Sequence, residues 1–514
     1  LTLGHAIGIM YECDEPFSVD ESVVEDLVTN GGCSMKNLYD SILYKCEGGW
    51  ANMEEVDSDK YSNEEPQKIF CGVLGEDKWK DPIREGRTIT IFDPNGESAK
   101  INIDNPEVKE DDIQTLLEIF KKYKNALAVG KRKTGPIRGF LFKIPQKDSH
   151  TPVVMTKQYP MNPVHGAEAD RQIDQLFENG MIELSVSNYN SPLVLVKKPN
   201  GRGFRLCVNY IKLNRNLEHV YYPVPDIETL LSDLHGERLK STLDLQDAFW
   251  SVELDPESRE MTSFTSYGGI KYQYCRCPMG LQSSSCAFSL GLNYVLGDYR
   301  KLGYKLKCYI DDILIYSQDV NSHLKTLNYI LERFSAHNLI VSFTKSKFLA
   351  SSVDFLGYKL GQDSIEPQND KVKVIESLLP SKTHHDVQCL LGKLGFLSRF
   401  IPNFAQIVSP IRKLLRGRLP MDSQKQNPRK VVDWNTDCDV ALEKAKKVIL
   451  DEAHLRYPIF DKECPFVVYT DASLLGLGYS LFQIDRDKRL RPVYHSGRAL
   501  RETEKNYPIL ILEG

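Results

Sequence analysis

The stretch CYIDDILIYS, residues 308–317, sets two adjacent aspartates between two apolar runs. Tyr309 and Ile310 precede Asp311 and Asp312, and residues 313–316 continue as an apolar segment. This pattern predicts two β-strands that meet at a tight turn. A turn whose two carboxylates simply face water is the alternative, and this stretch alone does not decide between the two.

A second apolar strand ends in a carboxylate. The segment STLDLQDAF, residues 241–249, carries Asp244 between Leu243 and Leu245. An unpaired carboxylate is costly to bury, and two carboxylates about 4 Å apart repel by roughly 4 kcal/mol at an effective dielectric near 20. A divalent cation removes that repulsion, and ligands that offer only oxygen suit Mg²⁺. We therefore expect Asp244, Asp311 and Asp312 to bind two Mg²⁺ ions, with Mn²⁺ as a substitute.

Two such ions support in-line phosphoryl transfer, in which one activates a primer 3′-hydroxyl and the other neutralises the departing pyrophosphate. In this hypothesis Asp244 and Asp311 are the primary ligands, and Asp312 assists them. A purely structural role gives no reason for three carboxylates in apolar strands.

The composition is that of a globular protein of two to four domains. The 514 residues are 41% hydrophobic and 26% charged, with a net charge of −5. A polyanion would therefore need basic residues concentrated in a cleft. The sequence contains no run of eighteen apolar residues that would predict a membrane span, so we expect an intracellular location. The 12 cysteines do not have the spacing of a zinc site, so we expect reduced thiols.

Several segments in fixed order resemble the reverse transcriptases of gypsy-like LTR retrotransposon Pol polyproteins, over about residues 113–514. They are YIDD at 309–312, LDL at 243–245, CPMGLQSSSCAF at 277–288, NLIVSFTKSKF at 338–348, DFLGYKL at 354–360 and LLGKLGFLSRFIPNF at 390–404. The resemblance implies an α+β right-hand polymerase with fingers, palm and thumb. Its palm would be an antiparallel sheet, followed by a connection and a ribonuclease H-like α/β domain.

We expect five regions along the chain. They are an acidic linker or peripheral region at 1–112, which could include the tail of an upstream protease domain, then fingers and palm at 113–365, thumb at 366–420, connection at 421–460 and ribonuclease H-like domain at 461–514. Apolar spacing predicts helix over residues 386–416, and residues 247–254 are also helix-like.

The resemblance implies a set of residues around the incoming nucleotide: Lys198, Arg205, Phe249, Gly280, Gln282 and Lys345. The Asn200-Gly201 pair predicts a hairpin turn that aims Lys198 and Arg205 at one triphosphate, with a solvated edge strand as the alternative. The Phe249 ring would exclude ribonucleotides, or it is a core aromatic. Gly280 would allow close backbone approach, with Gln282 supporting the same wall.

Lys345 would donate a proton near the pyrophosphate, unless it is an ordinary surface lysine. The resemblance also assigns a primer grip to Phe355, Leu356, Gly357 and Tyr358. The chain departs from the family at Asn209 and Ile211, where an aspartate and an arginine are usual, and at the serines 283–285. These changes favour a poorly active copy.

The C-terminal segment resembles the first part of a ribonuclease H domain. Asp471 would be the first metal-binding carboxylate, and Glu513 the second. The chain starts at Leu1 and stops at Gly514 within a predicted helix, so we expect a fragment with an incomplete ribonuclease H domain and an integrase further downstream. Two carboxylates would not assemble a two-metal nuclease site.

The expected function is RNA-directed DNA polymerisation, a nucleotidyl transfer that uses an RNA or DNA template, a primer and deoxynucleoside triphosphates. It would occur in the cytoplasm or in virus-like particles, without a membrane, and a homodimer is left open. One rival is a decayed or domesticated copy that binds nucleic acid without catalysis. The other is a polymerase that prefers DNA templates.

Overall fold

A computed structural model of the chain describes residues 80–507, apart from gaps at 95, 133, 148–151, 199–202, 221, 223–224, 416–430, 452, 474–475, 502 and 505–506. The predicted Asn200-Gly201 turn and Glu513 lie outside the described residues. Within the described part, no helix combines the length and the apolar character that crossing a membrane requires.

The first described elements form a small antiparallel sheet beside a helix. Its strands are β1 (Ile83–Glu85), β2 (Thr88–Phe92) and β3 (Ser98–Asn102), and helix α1 spans Glu110–Lys122. Helix α1 buries its predicted apolar face, and Ile89 of β2 belongs to the same hydrophobic core as the strands that carry the aspartates. The boundary expected at residue 112 therefore falls inside α1.

A five-stranded sheet, here called the palm sheet, carries the aspartates. Its strands lie in the order β13 (Leu306–Tyr309), β14 (Asp312–Ser317), β9 (Leu239–Leu245), β15 (Val341–Ala350) and β4 (Leu127–Ala128). All neighbours are antiparallel except β4, which runs parallel to β15 at the edge. The palm sheet is therefore antiparallel, as expected, with one parallel edge strand.

The two faces of the palm sheet pack against different cores. Ile313 and Ile315 of β14 lie in the first core, whereas Leu314 and Tyr316 lie in the second. Alternate side chains of a strand point to opposite faces, so burial on both faces makes the whole strand apolar. Asp312 is therefore a charged residue in a strand that is otherwise mostly apolar.

Two long helices cover the first face. Helix α6 spans Ser284–Leu296, and helix α7 spans Val320–Ala336. The side chain of Asp319 caps α7 by accepting a hydrogen bond from the Ser322 N–H at 2.8 Å, which satisfies one of the free amides at the helix start. Leu324, Leu327 and Leu331 recur at helical spacing and form a buried stripe along α7.

The remaining elements before the second core include one long helix, α2, and otherwise short strands and helices. They are β5 (Leu141–Phe142), α2 (Pro163–Glu178), β6 (Ile182–Leu184), β7 (Leu193–Lys197), β8 (Phe204–Val208), α3 (Ile211–Asn216), α4 (Ile227–Leu231), β10 (Glu253–Leu254), α5 (Pro256–Arg259), β11 (Phe264–Thr265) and β12 (Lys271–Tyr274). Strands β7 and β8 form the predicted hairpin. The helix expected over residues 247–254 is instead a single 3₁₀ turn, Ala248–Ser251, that leads into β10.

The second core lies in the C-terminal half. Around it are strands β16 (Val353–Phe355), β17 (Tyr358–Leu360), β18 (Ser364–Pro367) and β19 (Leu455–Arg456) and helices α8 (Asn369–Glu376), α9 (His384–Phe396), α10 (Phe404–Ile407), α11 (Ser409–Lys413) and α12 (Thr436–Asp451). Helix, which the sequence predicts over 386–416, forms there in separate pieces: α9 ends at Phe396 and the 3₁₀ turn Ser398–Phe400 follows. Pro402 and Asn403, which has a left-handed φ of 53°, separate that turn from α10.

A three-stranded antiparallel sheet, here called the C-terminal sheet, ends the described chain. It consists of β20 (Phe466–Ala472), β21 (Gly476–Ile484) and β22 (Leu490–Ala499), in sequence order. Elements from the second core pack on it, which brings the segment after α9 close to β22. The described chain thus combines an antiparallel palm sheet, helices on its back, a mostly helical segment and a final sheet.

Candidate active site

The palm sheet sets two of the aspartates directly opposite each other. Asp312, the first residue of β14, pairs with Asp244 of β9. Residues directly opposite in antiparallel strands direct their side chains to the same face, with Cα atoms about 4.5–5.5 Å apart. The two carboxylates therefore share one side of the palm sheet.

The third aspartate lies in the turn that precedes β14. Tyr309 pairs with Asp312, so Ile310 and Asp311 form a two-residue hairpin turn. Ile310 has a φ of 55°, a left-handed conformation that a β-branched residue rarely adopts. Such strain persists only where the surrounding structure imposes it, and it is common at functional sites. The turn places Asp311 next to the facing pair.

The electrostatics of the site show that the carboxylates repel one another. Partial burial of the Asp312 carboxyl, and then the charges of Asp311 and Asp244, raise its pKa above the ordinary value. An oxygen-only donor set under mutual repulsion fits a divalent cation. Within the described residues no three acidic, histidine or cysteine side chains are already gathered as a metal cage, so this fit rests on donor chemistry and strand register.

A lysine and two serines hold Asp244 from the neighbouring strand. Lys345 Nζ lies 3.4 Å from Asp244 Oδ1. The backbone N–H of Asp244 donates to the Ser346 hydroxyl at 3.1 Å, and that hydroxyl donates to the Ser342 carbonyl at 2.7 Å. The pairing of β15 with β9 shifts register between Ser342 and Lys347. This irregularity brings Lys345 to the carboxylate.

A cavity of about 140 Å³ joins the aspartates to the predicted primer grip. Its lining includes Asp244, Asp312 and Lys345, and also Leu356 and Gly357 of the predicted grip. These residues come from four separate strands or turns, so their convergence is a product of the tertiary fold.

The grip hairpin, defined here as β16 and β17 with the turn between them, reaches the cavity through that turn. Phe355 pairs with Tyr358, and Leu356 and Gly357 have left-handed φ values of 50° and 84°. Tyr358 is buried and stacks on Phe396, with ring centroids 5.4 Å apart. The two turn residues therefore face the cleft, whereas the flanking aromatics anchor the hairpin in the second core.

Phe249 is half-buried in the 3₁₀ turn five residues after Asp244. Its ring meets the edge of Phe288 at a centroid distance of 6.2 Å, and it packs against the first core. Phe249 is thus supported on one side by α6, which makes its ring a rigid wall.

Lys198 and Arg205 lie on the β7–β8 hairpin. Arg205 pairs with Val196, and the Lys198 N–H donates to the Gly203 carbonyl at 3.1 Å, which extends the ladder. Both side chains are exposed and, by strand alternation, share a face. None of the described residues of this hairpin lines the cavity, and Lys198 and Arg205 are not among the residues that the structure gathers around Asp244 and Asp312.

Asn214, which the sequence analysis did not identify, fastens the Gly280 loop to α3. Its side-chain amide donates to the Gly280 carbonyl at 2.9 Å, and its oxygen accepts from the Gln282 N–H at 3.1 Å. Gly280 has a φ of 98°, which other residues rarely adopt. The Gln282 side chain donates to the Glu218 carbonyl at 3.2 Å. An asparagine on a short exposed helix gives no sequence signal for this role.

Asn209 and Ile211, where the resemblance implies an aspartate and an arginine, lie at the start of α3. The Asn209 side chain accepts a hydrogen bond from the Ile211 N–H at 3.0 Å and donates to the Tyr159 hydroxyl at 3.3 Å. Ile211, the first residue of α3, is 60% exposed. Asn209 thus makes a local turn with the backbone, and Ile211 presents an apolar side chain to the surface.

Asp471 of the C-terminal sheet is held by α10 and the residue that precedes it. The side-chain amides of Asn403 and Gln406 donate to its Oδ2 at 3.0 and 3.1 Å. The second predicted ribonuclease H carboxylate, Glu513, lies outside the described residues. The structure therefore gives a setting for Asp471 alone.

Comparison with known protein families finds two matches. Residues 196–360 match the family "Reverse transcriptase (RNA-dependent DNA polymerase)". Residues 434–513 match the "RNase H-like domain found in reverse transcriptase", which begins before the boundary expected at 461.

Three relatives from Drosophila melanogaster are retrovirus-related Pol polyproteins. The protein from transposon opus is 29% identical over 85% of this chain, that from transposon 297 is 33% identical over 70%, and that from transposon gypsy is 31% identical over 69%. The matched regions cover 44%, 32% and 34% of these relatives. The chain thus spans less than half the length of each.

Solved structures share the fold. The foamy viral protease-reverse transcriptase in complex with dsDNA aligns with a TM-score of 0.67 over 80% of this chain and 82% of that chain, at 22% identity. A second structure of that foamy viral protein, dRH with ds DNA, gives a TM-score of 0.66 over 79% and 68%, at 23% identity. The expected α+β polymerase fold is confirmed.

The palm sheet, its aspartates and the family match together define a reverse transcriptase domain, which a ribonuclease H-like domain follows. The chain belongs to the gypsy-like retrotransposon Pol polyproteins, as its sequence motifs predict.

Proposed function

We propose that this chain is an RNA-directed DNA polymerase that adds deoxynucleotides to a primer 3′ end and releases pyrophosphate. The observation that carries this proposal is the pairing of Asp244 with Asp312, with Asp311 in the adjoining turn. The foamy viral relatives were solved with double-stranded DNA and with an RNA/DNA hybrid, which supports a primer–template as the partner here.

Asp244, Asp311 and Asp312 would hold two Mg²⁺ ions, for which Mn²⁺ would substitute. When bound, the ions supply charge neutralisation at the attacking and leaving oxygens of an in-line displacement. The side chains and turns around the aspartates would position the primer terminus and the incoming nucleotide. The raised pKa of Asp312 reflects repulsion that this charge would offset.

Within the cavity, the grip hairpin would position the primer terminus, since its turn residues Leu356 and Gly357 face Asp244 and Asp312. Lys345 would donate a proton to the pyrophosphate leaving group, since its ammonium already lies 3.4 Å from Asp244. Both proposed roles of Lys345, proton donation and orientation of the Asp244 carboxylate, depend on the register shift of β15 that brings Lys345 to Asp244.

The incoming deoxynucleoside triphosphate would lie between Phe249 and the Gly280 loop. The Phe249 ring would exclude a 2′-hydroxyl, because its backing by Phe288 prevents it from moving aside. Gly280 would give close backbone approach, and Gln282 would support that wall. Lys198 and Arg205 would reach the triphosphate when the β7–β8 hairpin closes over it.

The C-terminal region would form a ribonuclease H-like module with Asp471 and Glu513 as metal ligands. The proposed regions remain fingers and palm at 113–365, thumb at 366–420, connection at 421–460 and the ribonuclease H-like domain from 461. As a relative of retrotransposon Pol polyproteins, the chain would act in the cytoplasm, in virus-like particles, and a homodimer is one arrangement it could take.

One observation favours a second candidate, a copy that binds nucleic acid without catalysis. Ile211 presents an exposed apolar side chain where the family has an arginine that would contact the template. Without that contact the template strand would be positioned less firmly over the three aspartates, so the primer–template would still bind while incorporation falls.

Primer extension on poly(rA)/oligo(dT) with Mg²⁺ tests the proposal. The wild-type chain should extend the primer, and Asp311→Asn should abolish incorporation while retaining primer–template binding in a filter assay. Asp354→Asn is the matched control, because Asp354 lines the same cavity but pairs with Lys347 at 2.9 Å. Binding without extension by the wild type would support the second candidate. Faster extension on a DNA template of the same sequence than on the RNA template would instead indicate a polymerase that prefers DNA templates.

A further inference from the structure

Arg399 lies where three parts of the molecule meet. It is in the 3₁₀ turn Ser398–Phe400, which follows α9, and its side chain is only about 8% exposed. A guanidinium is rarely buried without several partners, because it cannot be deprotonated near neutral pH. The surroundings of Arg399 therefore bear on what it does.

Each contact of Arg399 reaches a different region. Its Nη2 forms an ion pair with Glu228 of α4 at 2.9 Å. The guanidinium carbon lies 5.3 Å from the ring of Tyr358 in the grip hairpin and 5.7 Å from the ring of Tyr494 in β22 of the C-terminal sheet. Both distances are within the range of cation–π attraction. One side chain thus joins the palm side, the grip hairpin and the C-terminal sheet.

The position of Arg399 depends on these rings more than on hydrogen bonds. Among the described residues, its buried Nε and Nη1 atoms find no hydrogen-bond partner. A buried polar group left unpaired is unfavourable, so the plane of the guanidinium is fixed by the aromatic rings and by the single ion pair. Losing one ring should therefore let the side chain move.

A short path leads from the C-terminal sheet to the cleft. Tyr358 directly follows the turn Leu356–Gly357, which lines the same cavity as Asp244 and Asp312. On the other side of Arg399, the amides of Asn403 and Gln406 tie the same segment to Asp471 of β20. The segment that carries Arg399 is thus fastened to the C-terminal sheet at two points.

We propose that Arg399 is a positioning residue that couples the C-terminal sheet to the grip hairpin, so that the ribonuclease H-like domain helps to set the primer terminus in the polymerase site. The proposal rests on the proposed polymerase function for its kinetic consequence. The coupling itself is a property of the protein without substrate.

Tyr494→Leu tests the coupling from the far side of Arg399, at a half-buried residue outside the polymerase cleft. Tyr494→Phe keeps the ring. Tyr469→Leu makes the same change on the same sheet, at an exposed ring that meets Phe482 edge to face and is not among the rings beside Arg399. Hydrogen exchange of the peptide over residues 353–360 reports on the grip hairpin, and that over residues 239–245 serves as an internal reference.

Tyr494→Leu should speed exchange in the hairpin peptide and leave the reference peptide unchanged. It should also raise KM for primer–template about two- to fivefold with little change in kcat, the effect expected from losing one cation–π contact. Tyr494→Phe and Tyr469→Leu should both behave as wild type. Arg399→Lys, which keeps the charge but not the planar group, should act like Tyr494→Leu.

Unchanged hairpin exchange in Tyr494→Leu, or an equal change in Tyr469→Leu, would overturn the coupling. A wild-type chain that does not extend primers would instead count against the polymerase function, and the exchange data would still decide whether the coupling exists. The two failures are therefore distinguishable.

Discussion

Asp244 and Asp312 face each other across β9 and β14, with Asp311 in the turn that opens β14. Two carboxylates are thus held on one side of the sheet by backbone pairing, before any cation binds. The strand register fixes their distance, and the apolar residues on either side of them fix the register, since a one-residue slip would turn buried side chains toward solvent. Backbone pairing therefore holds these carboxylates close together although their charges repel each other.

Asp312→Asn should stabilise the metal-free protein while removing activity. The folded-state pKa of Asp312 is raised, so the folded protein binds a proton more readily than the unfolded chain, and the charged carboxylate costs stability above that pKa. At pH 7 without metal, the free energy of unfolding should rise by up to about 1 kcal/mol, measured by urea denaturation. Asp354→Asn, which breaks a surface ion pair, should give no such gain, and a less stable Asp312→Asn variant would contradict the electrostatic account.

Lys345→Met should lower kcat for nucleotide incorporation by about 10²-fold with a small effect on KM, because the proposed proton donor is removed while the binding surface is kept. Single-turnover incorporation measures the effect. Lys347→Met is the matched control, two residues further along the same strand, where the lysine pairs with Asp354 instead of Asp244. Equal behaviour of the two variants would identify Lys345 as an ordinary surface lysine.

Phe249→Ala should weaken discrimination against ribonucleotides. Removing the ring opens space for a 2′-hydroxyl, so the ratio of kcat/KM for a deoxynucleotide to that for the matching ribonucleotide should fall by about 10- to 100-fold. Trp250→Phe, at the adjacent ring that packs on Tyr274, should leave the ratio near its wild-type value. If Phe249→Ala retains the wild-type ratio, Phe249 is only a core aromatic.

His323 should make the fold sensitive to acid. It is fully buried between the hydroxyls of Ser241 and Ser317, at 2.7 and 2.9 Å, and burial lowers its pKa from 6.5 to about 3. The unfolded chain binds a proton below pH 6.5 and the folded chain does not, so stability falls as the pH drops from 6.5 toward 3. Urea denaturation should show a loss of about 2 kcal/mol between pH 6.5 and about pH 5 from this residue.

His323→Gln should remove that part of the pH dependence, even if it lowers stability at neutral pH. His385→Gln, at an exposed histidine of α9, should leave the slope as in the wild type. Identical slopes for wild type and His323→Gln would show that His323 is protonated in the folded protein.

The parts of the fold that the sequence predicts are those where local pattern and burial agree. The apolar strands around Asp244 and the stripe of α7 follow directly from side-chain periodicity. Helix covers most of the range 386–416, as predicted, but in separate pieces, and Pro402 and the left-handed Asn403 interrupt an apolar pattern that otherwise continues. Residues 247–254 likewise form only a 3₁₀ turn and a short strand, since the chain must bend sharply after β9 at Asp247, which has a φ of 49°.

The site residues that the sequence missed act through long-range contacts. Asn214 bridges the backbone of a loop more than sixty residues away, and its own segment resembles any exposed helix. Arg399 reads as a surface cation on an amphipathic helix, and only the tertiary fold brings Tyr358 and Tyr494 to its two sides. Periodicity reports which face of an element is buried, but it does not report which distant residue covers it.

The most direct measurement is the number of Mn²⁺ ions that the protein binds, counted by electron paramagnetic resonance against a protein-free blank. The protein is measured in complex with an RNA template, a dideoxy-terminated primer and the next deoxynucleoside triphosphate. The account predicts that wild type and Asp354→Asn bind the same number of ions, and that Asp244→Asn loses at least one. Asp244→Asn binding Mn²⁺ with unchanged number and affinity would contradict it.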